Sequence, residues 1–211
     1  MKRLEFIHKY WSYYTMLEER FISSMQYVSL DEKNSRAFSN EYASLLITAG
    51  AEIDILFKMV CGFHGEERKS INDYAKHLLP TVKQYEIEII ISDYNNITPF
   101  KTWSMDNPSK SLVWWEAYNC IKHNRAENAI QASQENVILA LSALFLLNNL
   151  MFQRISETNG CANVPGSYSK LFKIVGWKYN ADILNPYLEE SIAELAEEFP
   201  DLFEGAIVSE E

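Results

Sequence analysis

The chain is short of the residues that break regular structure, with seven glycines and six prolines among 211 residues. That scarcity argues against a loop-dominated β fold, whose turns consume both. Cysteine is sparser still. Cys61, Cys120 and Cys161 lie far apart, are odd in number and form no Cys-x-x-Cys pair. No disulfide framework is expected, and a reducing cytoplasm suits them best as small core hydrophobes. No long apolar run occurs. The longest, Val137 to Leu147, is interrupted by Ser142 and followed by Asn148 and Asn149. A spanning helix needs roughly 20 apolar residues, so a buried core helix and no membrane partner are expected. The start, Met1-Lys-Arg-Leu-Glu-Phe-Ile-His8, is basic but has no continuous apolar stretch, so it does not read as a signal peptide.

Basic charge is missing from one end. From Tyr179 to Glu211 there are ten Asp or Glu and no Lys, Arg or His, which leaves residues 1–178 with 19 charges of each sign and the tail with the whole net charge of −10. The body is neutral and has no dense basic run of the kind that marks a strong nucleic-acid binder. Metal and cofactor signatures are also lacking. There is no His-Glu-x-x-His, no Cys/His cluster, no P-loop and no Gly-x-Gly-x-x-Gly. A di-iron bundle requires two Glu-x-x-His pairs, and the chain holds one, Glu5 to His8. No cofactor or metal is expected.

What is present is apolar and helical in pattern: 47% hydrophobic and 23% charged, rich in tyrosine, phenylalanine and tryptophan. Leu4, Ile7, Trp11, Tyr14 and Phe21/Ile22 give residues 3–25 a helical stripe with one polar exception, Glu18. A second helix runs from Ser39/Asn40 to Cys61-Gly62 on Tyr42, Leu45, Leu46, Ala49, Ile53, Leu56, Phe57 and Val60. A short third follows Ser70 and stops before Pro80. From Tyr85 to Asp93 the period changes to two, the mark of a half-buried strand, and after the turn Tyr94-Asn95-Asn96 the segment 97–103 could return as an edge partner carrying Pro99. Pro108 opens a helix to about Asn124. Ser133 caps a long one to Ile155 that is apolar nearly all round and so belongs at the centre of a bundle. Residues 158–169 read as a loop, Leu171 to Tyr179 as a short strand, and Asn185-Pro186 as the start of a final helix. The fold class expected is mainly α, an up-and-down helical bundle over residues 1–180 with a small β-hairpin inserted near 85–103, followed by an acidic C-terminal helix or tail over 181–211.

The stretch Trp114-Trp-Glu-Ala-Tyr-Asn-Cys-Ile-Lys-His-Asn-Arg125 carries the most chemistry. On a helix Glu116, Asn119 and His123 fall at i, i+3 and i+7 and share a face. Histidine moves protons near neutral pH, asparagine orients an imidazole or binds a ligand oxygen, and arginine grips phosphate. Together they suit cleavage of a phosphodiester without metal. The same strip also reads as a helix surface satisfied by neighbours or water, and the two tryptophans read as core before they read as base-stacking platforms. Glu52, at the edge of the second helix's stripe, either reaches solvent at the rim or finds a cation in His123, Lys122 or Arg125 across the bundle.

Asn119, three residues, then His123, at the end of an aromatic-rich helix that leads into a long apolar one, resembles the HEPN superfamily of small all-helical proteins. Those carry Arg-Asn-x-x-x-His at this place. Here Tyr118 stands where the arginine would be, and the nearest arginine is Arg125. The resemblance covers about half the chain and implies a defence or toxin–antitoxin setting, a homodimer, and RNA or a cognate protein as partner. It implies His123 as general acid/base, Asn119 as its helper and Arg125 as a phosphate ligand, in a metal-independent endoribonuclease. Members that have lost activity only bind, and Tyr118, which cannot supply a permanent charge, points that way. Both readings remain open from sequence.

Overall fold

In a computed structural model, residues 1–64 and 68–180 are described. The helix expected at 185–199 and the acidic tail lie outside them.

The chain opens with α1 (Arg3–Phe6), a π-helical turn (Ile7–Trp11) and α2 (Ser12–Ser24), which follow one another without a break. The π turn corrects the expected stripe. An i→i+5 turn brings Phe6 into line with Trp11, and both rings pack on Phe152, at centroid distances of 4.9 and 5.6 Å. Phe6 is therefore fully buried, whereas Leu4, placed in the stripe by an unbroken 3.6 period, is 54% exposed.

α3 (Asn40–Cys61) begins and ends where its sequence signals say. The Ser39 hydroxyl accepts the Tyr42 N–H at 3.0 Å. At the other end Gly62 adopts φ 70°, and Arg154 donates to the Met59 and Val60 carbonyls at 3.2 and 2.7 Å, so the terminal carbonyls are satisfied. α4 (Ile71–Val82) is opened by Asp73, whose carboxylate accepts the Ser70 N–H at 2.9 Å, and those bonds hold its pKa below the usual aspartate value. The helix does not stop before Pro80, as its sequence predicts; Pro80 sits inside the last turn. Proline deletes the bond to the Lys76 carbonyl, but both residues face solvent, where water can serve that carbonyl, while Leu78, Leu79 and Val82 anchor the turn in the core.

α5 (Pro108–Ser111) and α6 (Val113–Asn124) form the helix expected from Pro108, with a break at Leu112 (φ −91°, ψ 89°). α7 (Gln134–Asn159), capped by the Ser133 hydroxyl, is the central helix. It packs chiefly along α3, and also meets α1, α2 and α6. It alone among the described residues is long and apolar enough to cross a membrane, and 89% of its most apolar window is buried inside the fold.

The small antiparallel sheet is present, with a different partner from the one expected. β1 (Ile87–Ile89) pairs with β2 (Phe172–Ile174) in the register Ile87↔Ile174 to Ile89↔Phe172. The expected return strand contributes one bridge, Ile87 with Ile97, whose two backbone bonds are 2.7 and 2.9 Å. Beyond Ile97 the chain turns inward. Pro99 comes next but one, and Phe100 and Trp103 bury completely against Phe57 instead of extending the ladder.

Residues 161–172 are tied to the first helices by polar contacts. Arg3 donates to the Val164 carbonyl at 2.8 Å and the Trp11 indole to Ser167 at 3.3 Å. Glu18, the polar exception in the stripe, is 1% exposed. Its carboxyl accepts the Tyr14 hydroxyl at 2.7 Å, the Lys170 and Leu171 amides at 3.1 Å each, and the Ser169 hydroxyl. A buried carboxyl is tolerated when it is hydrogen-bonded, and here it fastens the loop before β2 to α2. Burial, and then the Glu18 charge, push the Tyr14 phenol well above its ordinary pKa.

Candidate functional site

α6 runs antiparallel to α3. Near its start Trp115 packs on Phe57, in its middle Tyr118 lies on Gly50, and just past its end Arg125 donates to Asn40 at 3.0 Å. Both tryptophans belong to the core. The Trp114 indole donates to the Pro99 carbonyl at 2.8 Å, and Trp115 stands edge-on to it at 5.9 Å. The aromatic half of the stretch therefore fixes α6 in place and turns its polar face outward.

Tyr118 is buried. A Cβ on Gly50 would sit 2.3 Å from its ring, so the missing side chain of Gly50 is the space the ring occupies. Its hydroxyl accepts Lys122 Nζ at 3.2 Å, and the same ammonium lies 5.3 Å from the ring centroid. Lys122 is thereby folded back along its own helix, while remaining exposed. The position that resembles an arginine site thus holds a neutral ring engaged with α3 and one lysine.

Asn119 is half-buried and donates its amide to the Trp115 carbonyl at 2.9 Å. That bond spends the amide on its own helix; the side chain does not orient His123. His123 is exposed on the last turn and, among the described residues, makes no side-chain hydrogen bond or ion pair. Glu116, half-buried, likewise has none. The strip Glu116, Asn119, His123 shares a face, as the spacing predicts, without forming a connected network. Arg125 is exposed just beyond the helix and lines, with Phe38, Asn40 and Ala129, a cleft of about 190 Å³ at the start of α3. His123 does not line that cleft.

Glu52 does not meet this group. Gly50, which faces Tyr118, lies two residues earlier, and at 100° per residue Glu52 points about 200° away, to the far side of α3. It is also twelve residues, about 18 Å along the axis, from Asn40, where Arg125 is held. Burial raises its pKa above the ordinary 4.5, and no cation acts against that rise. The expected answer from His123, Lys122 or Arg125 across the bundle is therefore not made. Two features of the structure carry no clear signal along the chain. Gly50 lies beside the apolar stripe of α3, and a Cβ there would force the Tyr118 ring to shift. Glu18 was visible as the polar exception, but not its donors, which arrive from residues 169–171 far along the chain.

No three His, Cys, Asp or Glu side chains among the described residues are grouped as a metal site would need. Comparison with known protein families, with curated proteins and with solved structures found no match to this chain.

Proposed function

We propose that this chain is a HEPN-like module of a defence or toxin–antitoxin type system, acting in the cytoplasm, that binds RNA at the C-terminal end of α6 without cutting it. The observation that carries the reading is the engagement of Tyr118. Cleavage of a phosphodiester needs a proton carrier and a fixed cation on the phosphate in one place. Tyr118 is a neutral ring buried on Gly50, Lys122 is drawn onto it, and Asn119 is spent on the Trp115 carbonyl. What the helix end offers is exposed Lys122, His123 and Arg125, with exposed Phe38 beside Arg125. Cations for phosphate and a free aromatic face for a base support binding. The test is an electrophoretic-mobility assay with single-stranded RNA. Exchanging both Lys122 and Arg125 for alanine is expected to weaken binding several-fold and to flatten its salt dependence. Undiminished binding would remove RNA and leave a cognate protein as the partner of this end.

A second reading, a metal-independent endoribonuclease with His123 as general acid/base, draws on one observation. The imidazole is exposed and unpaired, the condition in which a site completed across a homodimer would leave it in one chain. Metal-independent cleavage that His123→Ala abolishes would favour it over the binding module.

A further inference from the structure

The seam between α2 and α3, on the side of α3 away from α6, holds an acidic group without a partner. Its direction is fixed at both ends: Arg20 grips Glu41 at 2.8 Å and Ser44 at 3.1 Å, while Met1 and Met59 line one cleft. α2 and α3 are therefore antiparallel. Glu52 lies eleven residues after Glu41, about 20° round the helix from it and about 16 Å further along, so it faces the same seam.

Three properties of the seam bear on what covers it. First, it carries exposed apolar side chains: Tyr13, Met16 and Ile55 all face solvent, and at the Arg20 end a cleft of about 700 Å³, lined also by Ser23, Ser24 and Gln26, opens beside Met16, Val28 and Tyr27, the last 87% exposed. Second, its cations are already engaged. Arg20 is held by Glu41, and Lys9 by Glu5 at 2.6 Å. Third, Glu52 is half-buried with no cation against it. The unmatched charge on this face is negative. A second copy of the chain meeting itself about a two-fold axis on Glu52 would set like charges together. The chain's own residues 179–211 contain no Lys or Arg to offer.

We propose that the α2–α3 seam is the docking groove for an amphipathic helix of a protein partner, which sets apolar side chains on Met16 and Tyr27 and a lysine or arginine on Glu52. An amphipathic helix lays its apolar face on exposed apolar side chains in this way. The partner's cation would recover the cost of half-burying Glu52 alone.

The probe is a fluorescent amphipathic Leu/Lys helix of about 18 residues, long enough to run the roughly 21 Å from Glu41 to Ile55. Its fluorescence anisotropy is followed with the full chain. Glu52→Gln is expected to weaken binding about tenfold, and Met16→Ala to weaken it as well. Glu88→Gln, at an exposed carboxylate paired with Lys173 on the small sheet, leaves it unchanged. A Leu/Glu helix of equal length binds far less. Equal loss at Glu52 and Glu88, no loss at Glu52, equal binding of the Leu/Glu helix, or no binding of the Leu/Lys helix each overturns the proposal. Binding that survives exchange of Lys122 and Arg125 keeps this groove distinct from the α6 end, so either assignment can fail without the other.

Discussion

Gly50 and Glu52, two residues apart on α3, face opposite ways, and each makes a prediction whose sign departs from habit. Alanine for glycine inside a helix ordinarily adds about 1 kcal/mol of stability. At Gly50 the new Cβ would stand 2.3 Å from the Tyr118 ring, so Gly50→Ala is expected to cost about 1–3 kcal/mol in urea unfolding. In a Tyr118→Ala background the same change should stabilise, and additivity of the two substitutions would contradict the packing described. Glu52 carries a pKa raised by burial from 4.5. Its folded state prefers the proton, so its favourable contribution is complete below 4.5 and is lost as pH rises through the raised value. Glu52→Gln should therefore leave the protein more stable than wild type at pH 7 and give no such gain below pH 4.5. A loss at pH 7 would mean that a cation does answer Glu52. Glu18 has the opposite character. Glu18→Ala removes the acceptor of Tyr14, Ser169, Lys170 and Leu171 together and should cost about 3–5 kcal/mol, with faster hydrogen exchange at the Leu171 amide.

The elements divide by whether their cause is local. Ser39, Gly62, Ser70 and Ser133 mark helix ends in the sequence, and the structure uses each of them there, because a cap is made within a few residues. α3 was legible from a stripe that recurs along it, and α7 from its cap and from being apolar nearly all round. Two elements were not. The π turn is set by Phe152, a residue of α7 that both Phe6 and Trp11 must reach, and no count along residues 3–11 contains it. β1 shows its alternation plainly, yet its partner lies some 85 residues later, at Phe172–Ile174, where only tertiary packing could choose it over the nearer 97–103. The register of the first helix gives a direct check: Phe6→Ala should lose about 3–5 kcal/mol, and Leu4→Ala no more than about 0.5 kcal/mol. Comparable losses at both positions would restore the unbroken helix.

Across the whole molecule, α3 and α7 form the spine, with α2 and α6 packed along it. The fold class could be read from the sequence; the candidate site only in part. Spacing put Glu116, Asn119 and His123 on one face, and they share it. What spacing could not supply was the surroundings: Tyr118 seated on Gly50, the Asn119 amide closed on the Trp115 carbonyl, and Glu52 turned to the other side of α3. On the proposed reading, these surroundings favour a face that binds over a site that cuts. The measurement that bears on this most directly is incubation of the purified chain with end-labelled single-stranded RNA in excess EDTA, followed on a denaturing gel beside His123→Ala and the double exchange of Lys122 and Arg125 to alanine. The account predicts RNA that stays intact with every protein and a complex that the double exchange weakens; cleavage by the wild type that disappears in His123→Ala would contradict it.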